Sequence, residues 1–228
     1  SICTSCARGC NVTVGARGGQ FLRMEPRENP AVNRWWMCDA GRLGYGFVNS
    51  PTRLAVPRVR GADGAMHDAG WEDAIDAASR ALAGVRGDVL VDGNLTLEEM
   101  FLARELARAL GGAASFAGAT GTDGDDFLVV DEKAANARGA AALGLPRRTG
   151  PAPAVVLMVE REANVPARLR DAAGARVVFA ADADHVPPDA AVAFPLGTWA
   201  ERDGVLLNVD GIAQEIRRNP SAGPPGLL

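Results

Sequence analysis

The chain has 228 residues, of which 47% are hydrophobic and 23% are charged, a composition typical of a soluble globular protein. Its formal net charge of −4 provides no electrostatic footprint for a nucleic acid. The longest strongly apolar stretches, residues 154–159 and 177–181, are far too short to cross a bilayer, and no secretion signal is recognisable. We therefore expect neither a nucleic-acid partner nor direct membrane insertion.

Residues 1–60 are predicted to form a small, β-rich domain. Residues 11–16 and 21–25 alternate in polarity on either side of a Gly-bearing segment, which is typical of a β-hairpin. The adjacent Trp35 and Trp36 are expected to shield a bound group or to fill the core of this domain. Because so small a unit has little core of its own, a bound metal group would stabilise it.

Residues 61–218 are predicted to form a second domain, in which helices alternate with strands. Hydrophobic residues recur at helical spacing over residues 71–82. Thr96 and Glu99 form a capping box, which predicts the start of a second helix that ends at the glycines of residues 111–112.

Several short apolar stretches of this domain are predicted strands, namely residues 88–91, 155–159, 177–180 and 190–194. Residues 166–173 are a predicted helix, and the Gly- and Asp-rich residues 117–126 are a predicted mobile surface loop. Because strands separated by helices favour a parallel sheet, the predicted fold class is α/β, with a Rossmann-like parallel domain after the β-rich one. The Pro- and Gly-rich residues 219–228 are predicted to be a flexible tail.

All four cysteines lie within the first 38 residues, at Cys3, Cys6, Cys10 and Cys38. Three closely spaced thiolates with a distant fourth are typical of an iron–sulfur cluster, which is held by four Cys ligands. The small residue Gly9 lets the backbone approach such a cluster closely. We therefore predict that these four residues are both the cofactor-binding and the metal-binding residues, and that they hold one [4Fe–4S] cluster.

Two other uses of these cysteines stay open. A structural zinc usually takes two separated C-x2-4-C pairs, and only Cys3 with Cys6 forms such a pair, so the spacing favours the cluster. Two disulfides would require an oxidising compartment, whereas the clustering fits metal binding in a reducing cytosol. A non-redox interaction module with a structural zinc is therefore one alternative function.

The cysteine segment resembles a known family. Residues 3–45, with Arg-Gly-Cys-Asn-Val at 8–12 and Cys-Asp-Ala-Gly-Arg at 38–42, look like the cluster-binding domain shared by molybdopterin oxidoreductases and the large iron–sulfur subunit of complex I, which is the G-subunit family of NADH–quinone oxidoreductase. Residues 126–140 and 199–214 resemble stretches of the molybdopterin-fold region of that large subunit. The resemblance implies that the second domain is a shortened version of the molybdopterin-oxidoreductase α/β domain.

Two departures favour the complex I branch of this resemblance. Catalytic molybdopterin enzymes usually carry a Lys two positions after the fourth cysteine, where this chain has Ala40. The residues after the cluster domain are also too few for the several domains that surround two pterin dinucleotides. The resemblance therefore implies that no molybdopterin is bound. A fragment of a molybdopterin-dependent dehydrogenase, similar to formate dehydrogenase, is the second alternative.

The function that the resemblance implies is electron transfer. The chain would be a non-catalytic, electron-transfer component of an NADH–quinone oxidoreductase-like complex, with other redox subunits as its partners. Its expected location is the cytoplasm, at the inner face of the membrane, to which partner subunits attach it. Because the chain opens at Ser1 without Met and lacks the ferredoxin-like part expected upstream, we expect a piece of a longer polypeptide or a subunit whose N-terminal part lies elsewhere.

Overall fold

A computed structural model describes residues 1–150, 154–161, 165, 174 and 176–219. The strands in this part of the chain are β1 (Val12–Arg17), β2 (Gln20–Pro26), β3 (Arg58–Arg60), β4 (Met66–Asp68), β5 (Asp88–Asp92), β6 (Ala114–Ala117), β7 (Ala154–Val159), β8 (Val177–Ala180), β9 (Val192–Pro195), β10 (Gly204–Leu207) and β11 (Ala213–Ile216). The α-helices are α1 (Asp39–Leu43), α2 (Trp71–Leu82), α3 (Leu97–Ala109) and α4 (Ala137–Ala142). The predicted helix at 166–173 and the predicted tail, apart from Asn219, lie outside the described residues.

The centre of the fold is a seven-stranded sheet with the strand order β4-β3-β9-β8-β7-β5-β6. The five strands from β9 to β6 pair in parallel, and β3 and β4 extend the β9 edge in antiparallel fashion. The parallel strands have the order of a doubly wound sheet, in which the chain changes direction between β5 and β7. The predicted α/β fold class with a Rossmann-like parallel domain is confirmed.

The parallel strands are short apolar runs because both faces of the sheet are buried. Successive side chains of β5 point to opposite faces, so that Val89 and Val91 join one hydrophobic cluster while Leu90 joins the other. Met100 and Ala103 of α3 are fully buried in the first of these clusters. This packing fixes the position of α3 against β5 and thereby the position of the loop between them.

Helices α2 and α3 begin and end close to where the sequence predicts, whereas the short helices α1 and α4 were not predicted. Thr96 Oγ1 accepts a hydrogen bond from the Glu99 N–H at 3.2 Å, and the Glu99 carboxylate accepts one from the Thr96 N–H at 2.7 Å, which completes the capping box. Helix α3 ends just before Gly111, which adopts a positive φ of 66°. In the described part of the chain, no helix combines the length and the apolar character needed to span a bilayer.

Two hairpins flank the large sheet. The predicted hairpin forms from β1 and β2, and an unpredicted one forms from β10 and β11. Phe21 of the first hairpin and Leu206 and Ile216 of the second are fully buried in one hydrophobic cluster, which also contains Trp199. The core around the cysteines is therefore built from both ends of the chain.

The two adjacent tryptophans do not fill this core. Trp35 and Trp36 are 64% and 57% exposed, and Trp36 contacts Phe127 edge to face at 6.1 Å between ring centroids. Trp199, which is 2% exposed, provides the large aromatic side chain of the core instead, and Phe21 packs against it at 5.7 Å. The expectation that the tryptophan pair fills the core is wrong.

Candidate metal centre

Three of the predicted ligands lie on one loop ahead of β1. Cys3, Cys6 and Cys10 are all buried, and the Cys3 N–H donates to the Cys10 carbonyl at 2.8 Å, which closes the loop. Gly9 has a φ of +67°, a conformation that side chains other than glycine rarely adopt, and it turns the chain back toward Cys10. We call residues 3–10 the cysteine loop. All four cysteines of the chain are free thiols, so the fold does not form the alternative disulfides.

The fourth predicted ligand comes from a separate segment. Cys38 precedes α1, and its Sγ accepts a hydrogen bond from the Gly41 N–H at 3.4 Å. A Cβ atom placed on Gly41 would lie 2.9 Å from Cys3 Sγ and 3.7 Å from Cys38 Sγ. The glycine therefore leaves open a small space that both sulfurs border, and any side chain at position 41 would enter that space. The structure thus brings Cys38 to the cysteine loop.

The four thiols interact electrostatically. Burial raises the pKa of the Cys3 thiol to about 11; hydrogen bonds from Ser5 oppose this effect, and the neighbouring Cys6 and Cys38 add to it. Burial likewise raises the pKa of the Cys10 thiol, and the other three cysteines raise it further. Such thiols keep their protons unless a strong positive charge compensates the thiolates, which is what iron supplies to cysteine ligands.

The donor set fits an iron–sulfur cluster better than a single ion. Within the ranges that the structure describes, no group of three or more His, Cys, Asp or Glu side chains is arranged to hold a metal ion. A tetrahedral zinc would require four sulfurs, each about 2.3 Å from one point. In a cubane each iron takes its own thiolate, so the four sulfurs stand farther apart. The three buried thiols and the less buried Cys38 thiol, which do not close on one point, match this second arrangement.

The second hairpin holds the cysteine loop in place. The side-chain amide of Gln214 donates to the Gly9 carbonyl at 3.0 Å, and that of Asn208 donates to the Arg8 carbonyl at 3.3 Å. Both amides are buried. The two residues fall within the stretch that resembles the large complex I subunit, but the resemblance assigns them no role.

The sheet and the hairpin turn provide two further contacts. Asn94, which follows β5, donates through Nδ2 to the Thr4 carbonyl at 3.3 Å, while its Oδ1 accepts the Ala135 N–H at 2.8 Å. The Val209 N–H donates to the Ala7 carbonyl at 2.7 Å. The α/β part of the chain thus contacts the backbone of the cysteine loop at several successive positions.

The Gly- and Asp-rich segment, residues 117–126, leads into a structured turn, and a residue beyond this turn contacts the cysteine loop. Asp125 Oδ1 accepts backbone N–H groups from residues 127–129, at 3.0, 2.5 and 2.8 Å. A few residues beyond this segment the Glu132 carbonyl accepts the Ala7 N–H at 2.8 Å. The prediction of a mobile surface loop did not include this contact, because the pattern of Gly and Asp residues does not show what the turn packs against.

A network of buried charges lies beside the point where the strand order reverses. Glu160 follows β7 and is 1% exposed, and its carboxylate forms an ion pair with Arg202. Arg202 also donates to the Glu99 carboxylate at 3.0 Å. Asp92, at the end of β5, accepts the backbone N–H groups of Glu160 at 3.1 Å and of Arg161 at 2.8 Å. The crevice where doubly wound sheets bind ligands is therefore occupied by side chains of the protein itself.

Ionisation of Glu160 is expected to lower the stability of the fold. Burial raises the pKa of its carboxyl to about 7; Arg202 opposes this effect and Asp92 adds to it. The folded chain therefore holds this proton more tightly than the unfolded chain, and the free energy of unfolding should fall as pH rises from the ordinary pKa of 4.5 to about 7. Glu160→Gln lacks this pH-dependent contribution. The Tm of the variant minus the Tm of wild type should therefore increase with pH across that range.

Thermal unfolding of the two proteins at several pH values measures this difference. Glu215→Gln is the matched control, because Glu215 is exposed and its ion pair with Arg217 is at the surface. Its Tm should follow the wild-type Tm at every pH. Parallel curves for wild type and Glu160→Gln would contradict the assignment of a raised pKa to Glu160.

Comparison with known proteins agrees with this geometry. Residues 1–50 match the molybdopterin oxidoreductase Fe4S4 domain. Over 111 residues the chain is 41% identical to NADH-quinone oxidoreductase subunit 3 of Thermus thermophilus, and over 110 residues it is 36% identical to the NADH-quinone oxidoreductase G subunit of Streptomyces coelicolor. Both alignments cover 47% of this chain, and they cover 14% of the first relative and 13% of the second.

A shorter alignment gives a higher identity. The NADH-quinone oxidoreductase G subunit of Yersinia pestis is 48% identical over 64 residues, which are 28% of this chain and 7% of that protein. The chain therefore matches only a small fraction of the length of these relatives. Residues 1–50 thus match an iron–sulfur domain family, and about half of the chain is similar to a small part of G subunits of NADH–quinone oxidoreductase.

Proposed function

We propose that Cys3, Cys6, Cys10 and Cys38 hold one [4Fe–4S] cluster, and that the chain is an electron-transfer component of an NADH–quinone oxidoreductase-like complex without a catalytic site of its own. The observation that carries this proposal is that Cys38 Sγ, from a separate segment, borders the same small space as Cys3 Sγ of the cysteine loop, while all four cysteines are free thiols. The bound cluster would supply reversible one-electron transfer.

Largely apolar side chains surround the space next to Cys3. Met24, Tyr45, Phe47 and Trp199 line a small cavity next to Cys3. Such burial is one of the factors that set the potential of an iron–sulfur centre. Cys38 is the least buried of the four cysteines, so we propose that electrons enter and leave on its side of the domain.

We further propose that the chain binds no molybdopterin. Three observations support this. The crevice at the strand reversal contains the buried Asp92 and Glu160 together with Arg202. The Thr4 carbonyl of the cysteine loop is hydrogen-bonded to Asn94 at the same edge of the sheet. The position two residues after Cys38 is Ala40, which is exposed and carries no charge.

The proposed partners are other redox subunits. The relatives are named as subunits of NADH–quinone oxidoreductase, and a single cluster moves electrons only when donor and acceptor proteins dock beside it. By the same reasoning we propose a cytoplasmic location, at the inner face of the membrane, to which those partner subunits attach the chain.

Anaerobic reconstitution with iron and sulfide tests the cluster assignment. We expect about four irons and four sulfides per chain, a brown protein, and an EPR signal that develops on reduction. A colourless protein that retains zinc would contradict the proposal in favour of the structural zinc module. Molybdenum or tungsten in the complex isolated from cells would contradict it in favour of a fragment of a molybdopterin-dependent dehydrogenase.

A further inference from the structure

Four carbonyl groups of the cysteine loop accept hydrogen bonds from residues outside this loop. Those of Thr4, Ala7, Arg8 and Gly9 each accept a hydrogen bond from the α/β part of the chain. Three donors are side-chain amides: Asn94 binds the Thr4 carbonyl, Asn208 the Arg8 carbonyl and Gln214 the Gly9 carbonyl. The fourth donor is the backbone N–H of Val209, which binds the Ala7 carbonyl. Most of the peptides between the first and the third cysteine are thus fixed in orientation.

Fixing a carbonyl also fixes the N–H of the next residue. In a planar trans peptide the C=O and N–H groups point in opposite directions, and the described residues contain no cis peptide bond. A carbonyl drawn outward therefore turns the following N–H toward the inside of the loop. The peptide between Thr4 and Ser5 is consistent with this result: Asn94 binds its carbonyl, and the side chain and backbone of Ser5 lie close enough to the Cys3 thiol to lower its pKa.

We propose that Asn94 and Gln214 are positioning residues, which turn the Ser5 and Cys10 N–H groups toward the sulfurs and thereby raise the reduction potential of the cluster. This inference rests on the proposed function. Asn208 is not among them, because the Gly9 N–H that follows its carbonyl partner donates to the Cys6 carbonyl at 3.4 Å. Reduction adds a negative charge to the cluster, and N–H groups directed at the sulfurs stabilise that charge, whereas carbonyl oxygens directed at them destabilise it. The α/β part is then more than a scaffold, because it sets the electrostatic surroundings of the thiolates.

Gln214 offers the clearer test of the two, because Asn94 also accepts the Ala135 N–H. Its Nε2 donates to the Gly9 carbonyl, and among the described residues its buried Oε1 has no hydrogen-bond partner. The amide therefore has no second bond that the hairpin needs in order to fold. Asn208 differs, because its Oδ1 also accepts the N–H groups of Asp210 and Ile212 in the hairpin turn.

The experiment is a redox titration of the reconstituted protein, followed by EPR. Gln214→Met keeps the length of the side chain and removes the donor, so the reduction equilibrium should shift by three- to tenfold toward the oxidised cluster, about 30 to 60 mV for a one-electron couple. Gln214→Glu removes the donor and adds a charge, so its potential should fall further. The control Glu215→Gln alters the exposed neighbouring residue and should leave the potential unchanged.

The possible outcomes separate this inference from the proposed function. A Gln214→Met protein with full cluster content and the wild-type potential would overturn the inference and leave the function intact. A wild-type protein that binds no cluster would overturn the function itself.

A second variant is needed if Gln214→Met does not retain its cluster. Asn94→Asp keeps an acceptor for the Ala135 N–H and loses the donor to the Thr4 carbonyl. Pulsed EPR in water and in D2O measures the coupling of exchangeable protons to the reduced cluster. A weaker coupling in Asn94→Asp supports the inference, because an added charge alone does not move the Ser5 N–H. An unchanged coupling overturns it.

Discussion

Replacing Cys38 with alanine is expected to abolish the [4Fe–4S] spectrum, although the residue lies far along the chain from the other three cysteines. Its Sγ borders the same space as Cys3 Sγ, with Gly41 between them, so its loss leaves one iron without a protein ligand. The three thiolates of the cysteine loop would then hold at most three irons. Iron analysis together with absorption and EPR spectra measures this loss.

A matched control separates loss of the ligand from damage to α1. Leu43 lies in the same helix and is 71% exposed, so Leu43→Ala should reconstitute like the wild type. Because α1 is short and Cys38 precedes it, Cys38→Ala should leave the large sheet and its Tm nearly unaffected before reconstitution. A full complement of iron and an unchanged EPR signal in Cys38→Ala would show that the fourth ligand is another group.

Four of the seven strands of the large sheet, namely β5, β7, β8 and β9, were predictable because their determinants are local, whereas β3, β4 and β6 were not predicted. Apolar runs such as residues 155–159 and 177–180 identify buried parallel strands within a residue or two of the observed bounds. The capping box at Thr96 likewise depends on residues only three positions apart. Such patterns are recognisable in a single sequence, since the atoms that interact are also neighbours in the chain.

The second hairpin, which was not predicted, nevertheless has a local signal in the sequence. The turn between β10 and β11 contains Asp210 and Gly211, and Gly211 has a φ of +82°. An Asp-Gly pair between two stretches rich in β-branched and aliphatic residues is a strong indication of a hairpin. This pair is enough to place Gln214 on a strand, but it does not place that side chain against Gly9.

The contacts that shape the metal centre were not predictable in this way. Gln214 donates a hydrogen bond to the Gly9 carbonyl, and Arg202 forms an ion pair with Glu160. In both cases the two residues are far apart in the sequence. Nor does the sequence distinguish the buried Trp199 from the exposed Trp35, because burial depends on what the rest of the chain packs against. The spacing of the four cysteines is enough to predict them as ligands, whereas no pattern in the sequence indicates which residues contact the cysteine loop.

Arg202 connects the buried charges to the cysteine loop, and Arg202→Met is expected to cost ~3–5 kcal/mol of stability. Removing the guanidinium leaves the buried Glu160 without its ion-pair partner. It also breaks the ion pair between Arg202 and Glu99. Arg202 also donates to the Asn94 carbonyl at 3.2 Å, and Asn94 in turn binds the Thr4 carbonyl. The variant should therefore show both a lower Tm and a lower cluster content after reconstitution.

The pH dependence of this loss identifies its cause. If the cost arises from an uncompensated charge on Glu160, protonation of that carboxyl relieves part of it, so the decrease in Tm should be smaller at acid pH than above about 7. The double variant Arg202→Met/Glu160→Gln should recover much of the lost stability, because it buries no unpaired charge. Arg217→Met is the control, since this exposed arginine pairs with Glu215 at the surface, where an ion pair contributes ~0–1 kcal/mol. If the Tm of the double variant were no higher than that of Arg202→Met, the stability would depend on the packing of the arginine side chain. An uncompensated charge on Glu160 would then not be the cause of the loss.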